Sequence, residues 1–532
     1  MKILLIEPIK FFAKWPEFFT TMYFRIRALS LQELAAFFPD DTTIIDGMND
    51  PCSNEELAKI FMEYNSPNNI IGISAHSTAN ARNAFYTLKL AKSYAPLATV
   101  MMGGYHATFF HKRWIMIGAD VVIRHEAEIS YPRVIQKLQA IERGEKIVEV
   151  DLLGTTYSIE WLSRINGEEE ISKNSVNDYC NSIPSKWREI FKIPLFFPER
   201  RYNAAPDQPF SDTLDEHPFP DRSKLDQSTL FYPITGKGYM STIESARGCP
   251  FSCEFCSTRM MWKQAQRFKS VPRLMEEIKQ CLRMNIDRFL FIDESWGINN
   301  KHANEFMDAL EREGLHIAWA IQVRVDTIIN NPALFIRAGR NGCQVAMVGF
   351  ETLNQGINDE CNKKTKVADF YKAKKVLADA NIMSVSYFLV GLPNETRVDW
   401  RRTIQASKEL AELAIIQPFV PYFKGTFENV HDGENQDDRK NYGNFSLHHF
   451  SRGKDLPQKT RILNRDLLTY ILMFTISPKT VYRAMFRGKT LIQQNQHQLY
   501  RYFYKHLLHT LFDFKPQNFV NVLRAVNAPI DA

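Results

Sequence analysis

One run of eight residues carries the strongest chemical signal in the chain: Cys249-Pro-Phe-Ser-Cys253-Glu-Phe255-Cys256, preceded by Ser245-Ala-Arg-Gly248 and followed by Ser257-Thr258. Three thiolates in a C-x3-C-x2-C spacing, on a loop loosened by Gly248 and Pro250, suit three corners of an iron-sulfur cube and leave the fourth metal corner without a protein ligand. Structural zinc sites close their coordination with four ligands, whereas a site built to react keeps one position open. The bare spacing also fits half of a zinc site, or three buried thiols packed as small hydrophobes. The other five cysteines, Cys52, Cys180, Cys281, Cys343 and Cys361, are scattered and form no second C-x2-C pair. They read as ordinary reduced thiols, and a second cluster is not expected.

The elements that must carry this loop are legible on either side of it. From Met240 onward, strand-like runs (Met240 to Ile243, Arg288 to Ile292, Ala318 to Val323, Gln344 to Val348, Ser384 to Val390, Ile415 to Val420) alternate with amphipathic helical patterns such as Pro272 to Met284 and Lys301 to Glu313. Six such units predict an incomplete (β/α) barrel, whose ligands gather at the carboxyl ends of the strands. The residues standing there are Asp293-Glu294-Ser295 after the second strand, Arg324 after the third, Gly349-Phe350-Glu351 after the fourth and Gly391-Leu392-Pro393 after the fifth. A carboxylate at Glu294 or Glu351 suits a cationic ligand, and Arg324 an anionic one or a plain salt bridge.

Residues 1–140 show the same alternation, with candidate strands at Lys2 to Ile6, Thr43 to Ile45, Asn69 to Ser74, Ala98 to Met102 and Asp120 to Ile123. This is the pattern of a Rossmann-like parallel sheet covered on both faces, which binds ligands in the loops at its carboxyl edge. The most informative loop is Gly103-Gly104-Tyr105-His106-Ala107-Thr108, where paired glycines let backbone approach a bound group or simply make a turn. Residues 141–235 lose periodicity and gather Asn, Pro, Asp and Gly, as a long connector does, with a small hairpin expected between Leu153 and Gly167.

The cysteine loop, with its aromatic Phe255, its Arg-Gly and its Ser-Thr, resembles the radical S-adenosylmethionine (SAM) superfamily. The resemblance implies that Cys249, Cys253 and Cys256 hold a [4Fe-4S] cluster, whose fourth iron is chelated by SAM. It implies SAM contacts from Phe255, Glu294 (amino group), Arg324 (carboxylate or ribose), Glu351 (ribose or amine), and Gly391 and Pro393 beside the adenine. The N-terminal domain is similar to the cobalamin-binding domain that precedes the radical SAM domain in one large subclass, through Gly103, Gly104, His106 and Thr108. Two departures stand out: the D-x-H-x-x-G histidine motif is absent from this domain, and His125-Glu126-Ala127-Glu128 occupies the usual Gly-Glu-Gly-Glu. The implied fold is α/β, with a Rossmann-like cobalamin-binding-type domain (1–140), a connector (141–235), a partial (β/α)6 TIM-like radical SAM barrel (236–430) and a helical C-terminal region (431–532). The implied reaction is reductive cleavage of SAM to a 5′-deoxyadenosyl radical, serving cobalamin-dependent C-methylation of an unactivated carbon. The alternative is cobalamin-independent oxidation, cyclisation, coupling or ring contraction. Flavodoxin or ferredoxin would supply the electron, and a small-molecule or lipid-like compound would be the substrate.

Composition sets outer bounds. The 532 residues suffice for about three domains, and the 45% apolar and 24% charged shares are those of a globular protein. A net charge of +6 gives no ground for a nucleic-acid partner. Met1-Lys-Ile-Leu-Leu-Ile-Glu-Pro reads as a strand rather than a signal peptide, and Leu467 to Pro478 is too short to span a bilayer, so a cytoplasmic location is expected. Residues 451–532 carry 13 Lys or Arg against 4 Asp or Glu. Their interleaved aromatics and bases suit a helix packed on the barrel, or peripheral contact with anionic lipid or a hydrophobic substrate.

Overall fold

The computed structural model describes residues 1–8, 27–47, 49–50, 52–76, 78–141, 143–167, 200–226, 239–392 and 394–419, with positions 485, 490, 492–494 and 497. The expectations for Pro393, for Cys180 and for most of the C-terminal region lie outside those residues. The chain divides into two compact units, one built on the N-terminal sheet and one on the later strands.

The first unit is a seven-stranded sheet in the order β2-β1-β3-β4-β5-β6-β7. Its strands are β1 Ile3–Glu7, β2 Thr42–Asp46, β3 Ile70–Ser74, β4 Thr99–Gly103, β5 Val121–Ile123, β6 Thr155–Ser158 and β7 Tyr202–Ala204. The first five run parallel. Strands β1 and β3 are buried at every position, which is why they read as unbroken apolar runs rather than as alternation. The connecting helices are placed by local chemistry. The helix Asn54–Glu63, for example, starts at a capping box in which Ser53 accepts from the Glu56 backbone N–H and the Glu56 carboxylate accepts from that of Ser53.

The stretch read as a plain connector contributes the last two strands. β6 pairs antiparallel with β5, and β7 antiparallel with β6; instead of a hairpin, β6 runs directly into the helix Ile159–Ile165. All four β6 residues are buried, so no alternation marks the strand. Its polar side chains are satisfied internally: Thr155 Oγ1 donates to Leu152 O at 2.7 Å and Tyr157 Oη accepts from Asn203 Nδ2 at 3.0 Å.

The second unit carries six parallel strands in the order β15-β14-β13-β12-β11-β8, with a two-residue ribbon of β9 and β10 beside them. The ranges are β8 Tyr239–Ile243, β9 Ala246–Arg247, β10 Arg267–Phe268, β11 Ile286–Phe291, β12 Ala318–Arg324, β13 Cys343–Glu351, β14 Met383–Val390 and β15 Leu413–Pro418. Among the described residues β8 and β15 are the two edges, so the six-strand array is an open, partial barrel as expected from the sequence. The helix Val271–Arg283 shows how the outer layer forms. Ser270 accepts from the Arg273 N–H, Pro272 fits the first turn, and Leu274, Met275, Ile278 and Cys281 are buried on one face. Each such Leu or Ile contributes about 1.5–3 kcal/mol of apolar burial. Behind the strands, Trp296, Phe291, Phe306, Trp319 and Phe335 pack edge-on or tilted, with centroids 5.2–6.2 Å apart. That core gives the strand ends a rigid base. Among the described residues no helix is long and apolar enough to cross a membrane.

Candidate active site

The cysteine loop leaves the carboxyl end of β8 and is held from the ends of β11 and β12 and from the segments that follow β13, β14 and β15. The Ser245 N–H donates to Asp293 Oδ1 at 2.7 Å and its hydroxyl to Oδ2 at 2.5 Å, tying the start of the loop to the end of β11. Burial raises the Asp293 carboxyl to about 7, against the Ser245 hydrogen bonds that lower it. Gly248 has φ +94°, and a Cβ there would lie 2.0 Å from Ala265 O, so only glycine lets the chain enter the loop at this angle. Its N–H donates to Glu294 Oε2 at 2.8 Å, while Glu294 Oε1 accepts from Trp262 Nε1 at 2.5 Å. Both oxygens of Glu294 therefore anchor the loop. Burial raises the pKa of this carboxyl, Glu244 adds to the effect, and the two donors work against it.

Arg324, last residue of β12, is 6% exposed and reaches the middle of the loop. Its Nη1 donates to Cys253 Sγ at 3.3 Å, its Nε and Nη2 to Asp326 at 2.9 and 3.0 Å, and its Nη2 also to Lys363 O at 2.6 Å. The guanidinium carbon lies 3.7 Å from the centroid of the Phe251 ring, a stacked cation–π contact. The segment after the helix Gln355–Glu360 closes the far side of the loop. Cys361 O accepts from the Glu254 N–H at 2.9 Å, and Asn362 Nδ2 donates to Ser252 Oγ at 2.7 Å. Lys363 Nζ pairs with Glu351 at 2.7 Å and stands 5.5 Å from the Phe255 ring centroid. Phe255 packs against Ile357, Cys361, Leu392 and Phe419. The Gly391 and Leu392 N–H groups donate to Glu395 Oε2 at 2.5 and 3.1 Å, and burial pushes that carboxyl up to about 7 despite them.

Thus the strand-end residues expected from the sequence do converge. Glu294 and Arg324 touch the cysteine loop, and Glu351 reaches it through Lys363. Sequence reading missed Trp262, Cys361, Asn362, Lys363 and Glu395. Cys361-Asn-Lys-Lys looks like an ordinary solvated turn, and Asn362 and Lys364 take positive φ of 51° and 58° there.

The thiols suit a cluster. Burial pushes Cys249 up to about 11 and also raises Cys256, so a bound cation is what would convert them to thiolates. Among the described residues no three His, Cys, Asp or Glu side chains gather as a single-ion site requires. Three soft donors beside the buried cations Arg324 and Lys363 match an anionic cluster.

At the carboxyl edge of the N-terminal sheet, the two glycines differ. Gly104 has φ +101°, and a Cβ there would meet Ala75 C and the His76 N and Cα at 2.9 Å; nothing lies within 4 Å of one on Gly103. Gly104 thus serves a close crossing of the protein's own backbone, and only Gly103 faces open space. His106 and Thr108, expected to face a ligand, are buried at 3% and 4% exposure. His106 Nδ1 accepts from Trp114 Nε1 at 3.2 Å and its ring stacks on Phe110 at 4.5 Å, while Thr108 Oγ1 accepts from the His125 N–H at 3.0 Å. Burial, helped by Arg113, lowers His106 to about 3, so its ring is a neutral part of the core. A different group occupies the edge: buried Glu7 lies 3.0 Å from Nδ1 of the half-exposed His76 and accepts from Asn80 Nδ2 at 2.6 Å. Open space at Gly103 beside these polar groups, on a rigid sheet edge, is compatible with a large bound cofactor.

Residues 243–406 match the Radical SAM superfamily, and residues 19–135 match the B12 binding domain. The chain is 25% identical over 386 residues to an uncharacterised methyltransferase of Pyrococcus horikoshii, covering 71% of this chain and 73% of that one. It is 27% identical over 405 residues to the anaerobic magnesium-protoporphyrin IX monomethyl ester cyclase of Cereibacter sphaeroides, covering 73% of this chain but only 58% of the cyclase. In fold it is similar to the radical S-adenosylmethionine methyltransferase TsrM of Kitasatospora setae, solved with cobalamin and a [4Fe-4S] cluster. That match has a TM-score of 0.54 and 13% identity and covers 79% of this chain and 72% of TsrM. The three-thiol loop on an open six-strand array, preceded in the chain by a domain of the B12-binding type, makes this chain a cobalamin-dependent enzyme of the radical SAM superfamily.

Proposed function

We propose that the chain is a C-methyltransferase acting on an unactivated carbon of a small, lipid-like or natural-product substrate, with flavodoxin or ferredoxin as electron donor. The observation that carries this reading is the pairing of a three-thiol loop, which leaves one metal corner open, with an N-terminal sheet of the B12-binding type. Its similarity to methyltransferases of Pyrococcus horikoshii and Kitasatospora setae supports it.

When bound, the cluster and corrinoid supply reductive scission of the SAM carbon–sulfur bond, giving methionine and a 5′-deoxyadenosyl radical, together with a transferable methyl group. The protein's share is positioning and exclusion of water. Cys249, Cys253 and Cys256 would hold the cluster, on a loop whose entry is fixed by Glu294 and whose centre is fixed by Arg324. Phe255, Glu351, Gly391 and Pro393 would receive SAM. The apolar side chains of Phe255, Ile357, Leu392 and Phe419 form a dry wall on that side, which keeps water from a reactive carbon radical. Glu395 holds the 391–392 backbone in place by accepting both N–H groups. On the N-terminal sheet, Gly103 and the Glu7–His76 pair are the groups offered to the corrinoid.

A second reading, radical oxidation or cyclisation, is favoured by the 27% identity to a ring-forming cyclase. One experiment separates the two: anaerobic reconstitution with iron, sulfide, corrinoid, SAM and dithionite, followed by mass spectrometry. Methyl transfer predicts bound corrinoid and both S-adenosylhomocysteine and 5′-deoxyadenosine. 5′-Deoxyadenosine without S-adenosylhomocysteine overturns it in favour of the second reading.

A further inference from the structure

We propose that Arg324 is a positioning residue of the cluster, which sets the charge on the Cys253 sulfur and thereby the reduction potential, rather than a clamp for the SAM carboxylate. Four of its five N–H donors are committed to groups of the protein. Nη1 is directed to Cys253 Sγ at 3.3 Å, Nε and Nη2 to Asp326, and Nη2 to Lys363 O at 2.6 Å. The face of the guanidinium lies on Phe251 at 3.7 Å, so stacking and hydrogen bonds together fix its plane. The group is 6% exposed, which keeps solvent from screening its charge.

An N–H donated to a ligating thiolate withdraws electron density from the sulfur and stabilises the reduced, more negative cluster. Removal of that donor therefore makes the cluster harder to reduce. Asp326 works in the opposite sense. Its carboxylate sits against the same guanidinium at 2.9 Å and cancels part of the positive charge that Cys253 would feel. The two residues thus form a matched pair at the end of β12, one raising the potential and the other tempering it.

This inference rests on the cluster reading, and the test separates the two. The full chain, reconstituted anaerobically, is titrated reductively with EPR detection as wild type, Arg324→Lys, Arg324→Met and Asp326→Asn, with SAM affinity measured in parallel. The expected midpoints fall in the order Asp326→Asn, wild type, Arg324→Lys, Arg324→Met from highest to lowest, with SAM affinity unchanged. If Arg324→Met loses the cluster altogether, the opposite-sign shifts of Arg324→Lys and Asp326→Asn still decide the matter, because a merely structural role would not move them in opposite directions. Clusters with unshifted midpoints, or lost SAM affinity at an unshifted midpoint, overturn the proposal alone. A wild-type chain that takes up no iron-sulfur cluster overturns it together with the reading beneath it.

Discussion

Glu294→Gln isolates how the cysteine loop is anchored. In the structure both carboxylate oxygens accept, one from the Gly248 N–H at 2.8 Å and one from Trp262 Nε1–H at 2.5 Å. Glutamine keeps one acceptor, and its amide nitrogen must then face the remaining donor. The loss of one charge-assisted hydrogen bond, at roughly 1.5–3 kcal/mol, is compounded by two donors left facing each other in a buried site. We expect about 3 kcal/mol in all, seen as a melting transition lowered by several degrees. The assay is thermal unfolding by circular dichroism, with iron and sulfide per chain measured on the same samples. The effect should be coupled to Trp262. In a Trp262→Phe background the glutamine oxygen can serve Gly248 while its amide meets only the ring, so the penalty should shrink by about half. Equal melting and iron content in wild type and Glu294→Gln, or strict additivity with Trp262→Phe, would refute the reasoning.

Three further outcomes follow from the same geometry. Gly104→Ala should destabilise the N-terminal unit by about 1–3 kcal/mol through its forbidden φ alone, whereas Gly103→Ala, with open space at its Cβ, should leave unfolding unchanged and weaken corrinoid binding; denaturant unfolding and corrinoid titration check the contrast. Asp120 is buried, which opposes ionisation, yet Lys92, Arg164 and Arg200 hold its pKa down to about 2. Its folded value lies below the ordinary 3.8, so it stabilises above that pH and loses the contribution as pH falls toward about 2. Acid unfolding of the metal-free chain should accordingly begin at higher pH in Asp120→Asn, and an unchanged acid limb would contradict the assignment. Lys363→Met should leave Glu351 buried without its cation and loosen the far side of the loop, seen as faster iron release to a chelator; release at the wild-type rate would count against the contact.

How much of this was legible in the sequence depended on the range of the interaction. The parallel strands were read within about three residues because they are largely buried and mostly apolar, as in Ile3–Glu7 and Met383–Val390. β6 escaped because Thr155 and Thr156 are polar residues whose buried hydroxyls find partners that a pattern of apolar residues does not reveal, Thr155 at Leu152 O and Thr156 at 2.7 Å from His111. The cysteine loop was legible because three ligands within eight positions are a local pattern. Its supports were only half so. The places of Glu294, Arg324 and Glu351 follow from strand ends, but what each side chain touches depends on loops packed against it later. Lys363 illustrates the gap, since a lysine in a Lys-Lys pair reads as solvated until Glu351 is found 2.7 Å away. His106 shows the converse: a Gly-Gly-x-His run marks the carboxyl edge of a strand correctly, yet cannot say that the ring turns inward onto Trp114.

The measurement that bears most directly on the whole account is Mössbauer and EPR spectroscopy of the anaerobically reconstituted chain, before and after addition of SAM. We expect a [4Fe-4S] signal with one iron site that changes when SAM is added, and its loss in Cys253→Ala. Zinc at the triad, no metal at all, or a cluster indifferent to SAM would contradict it.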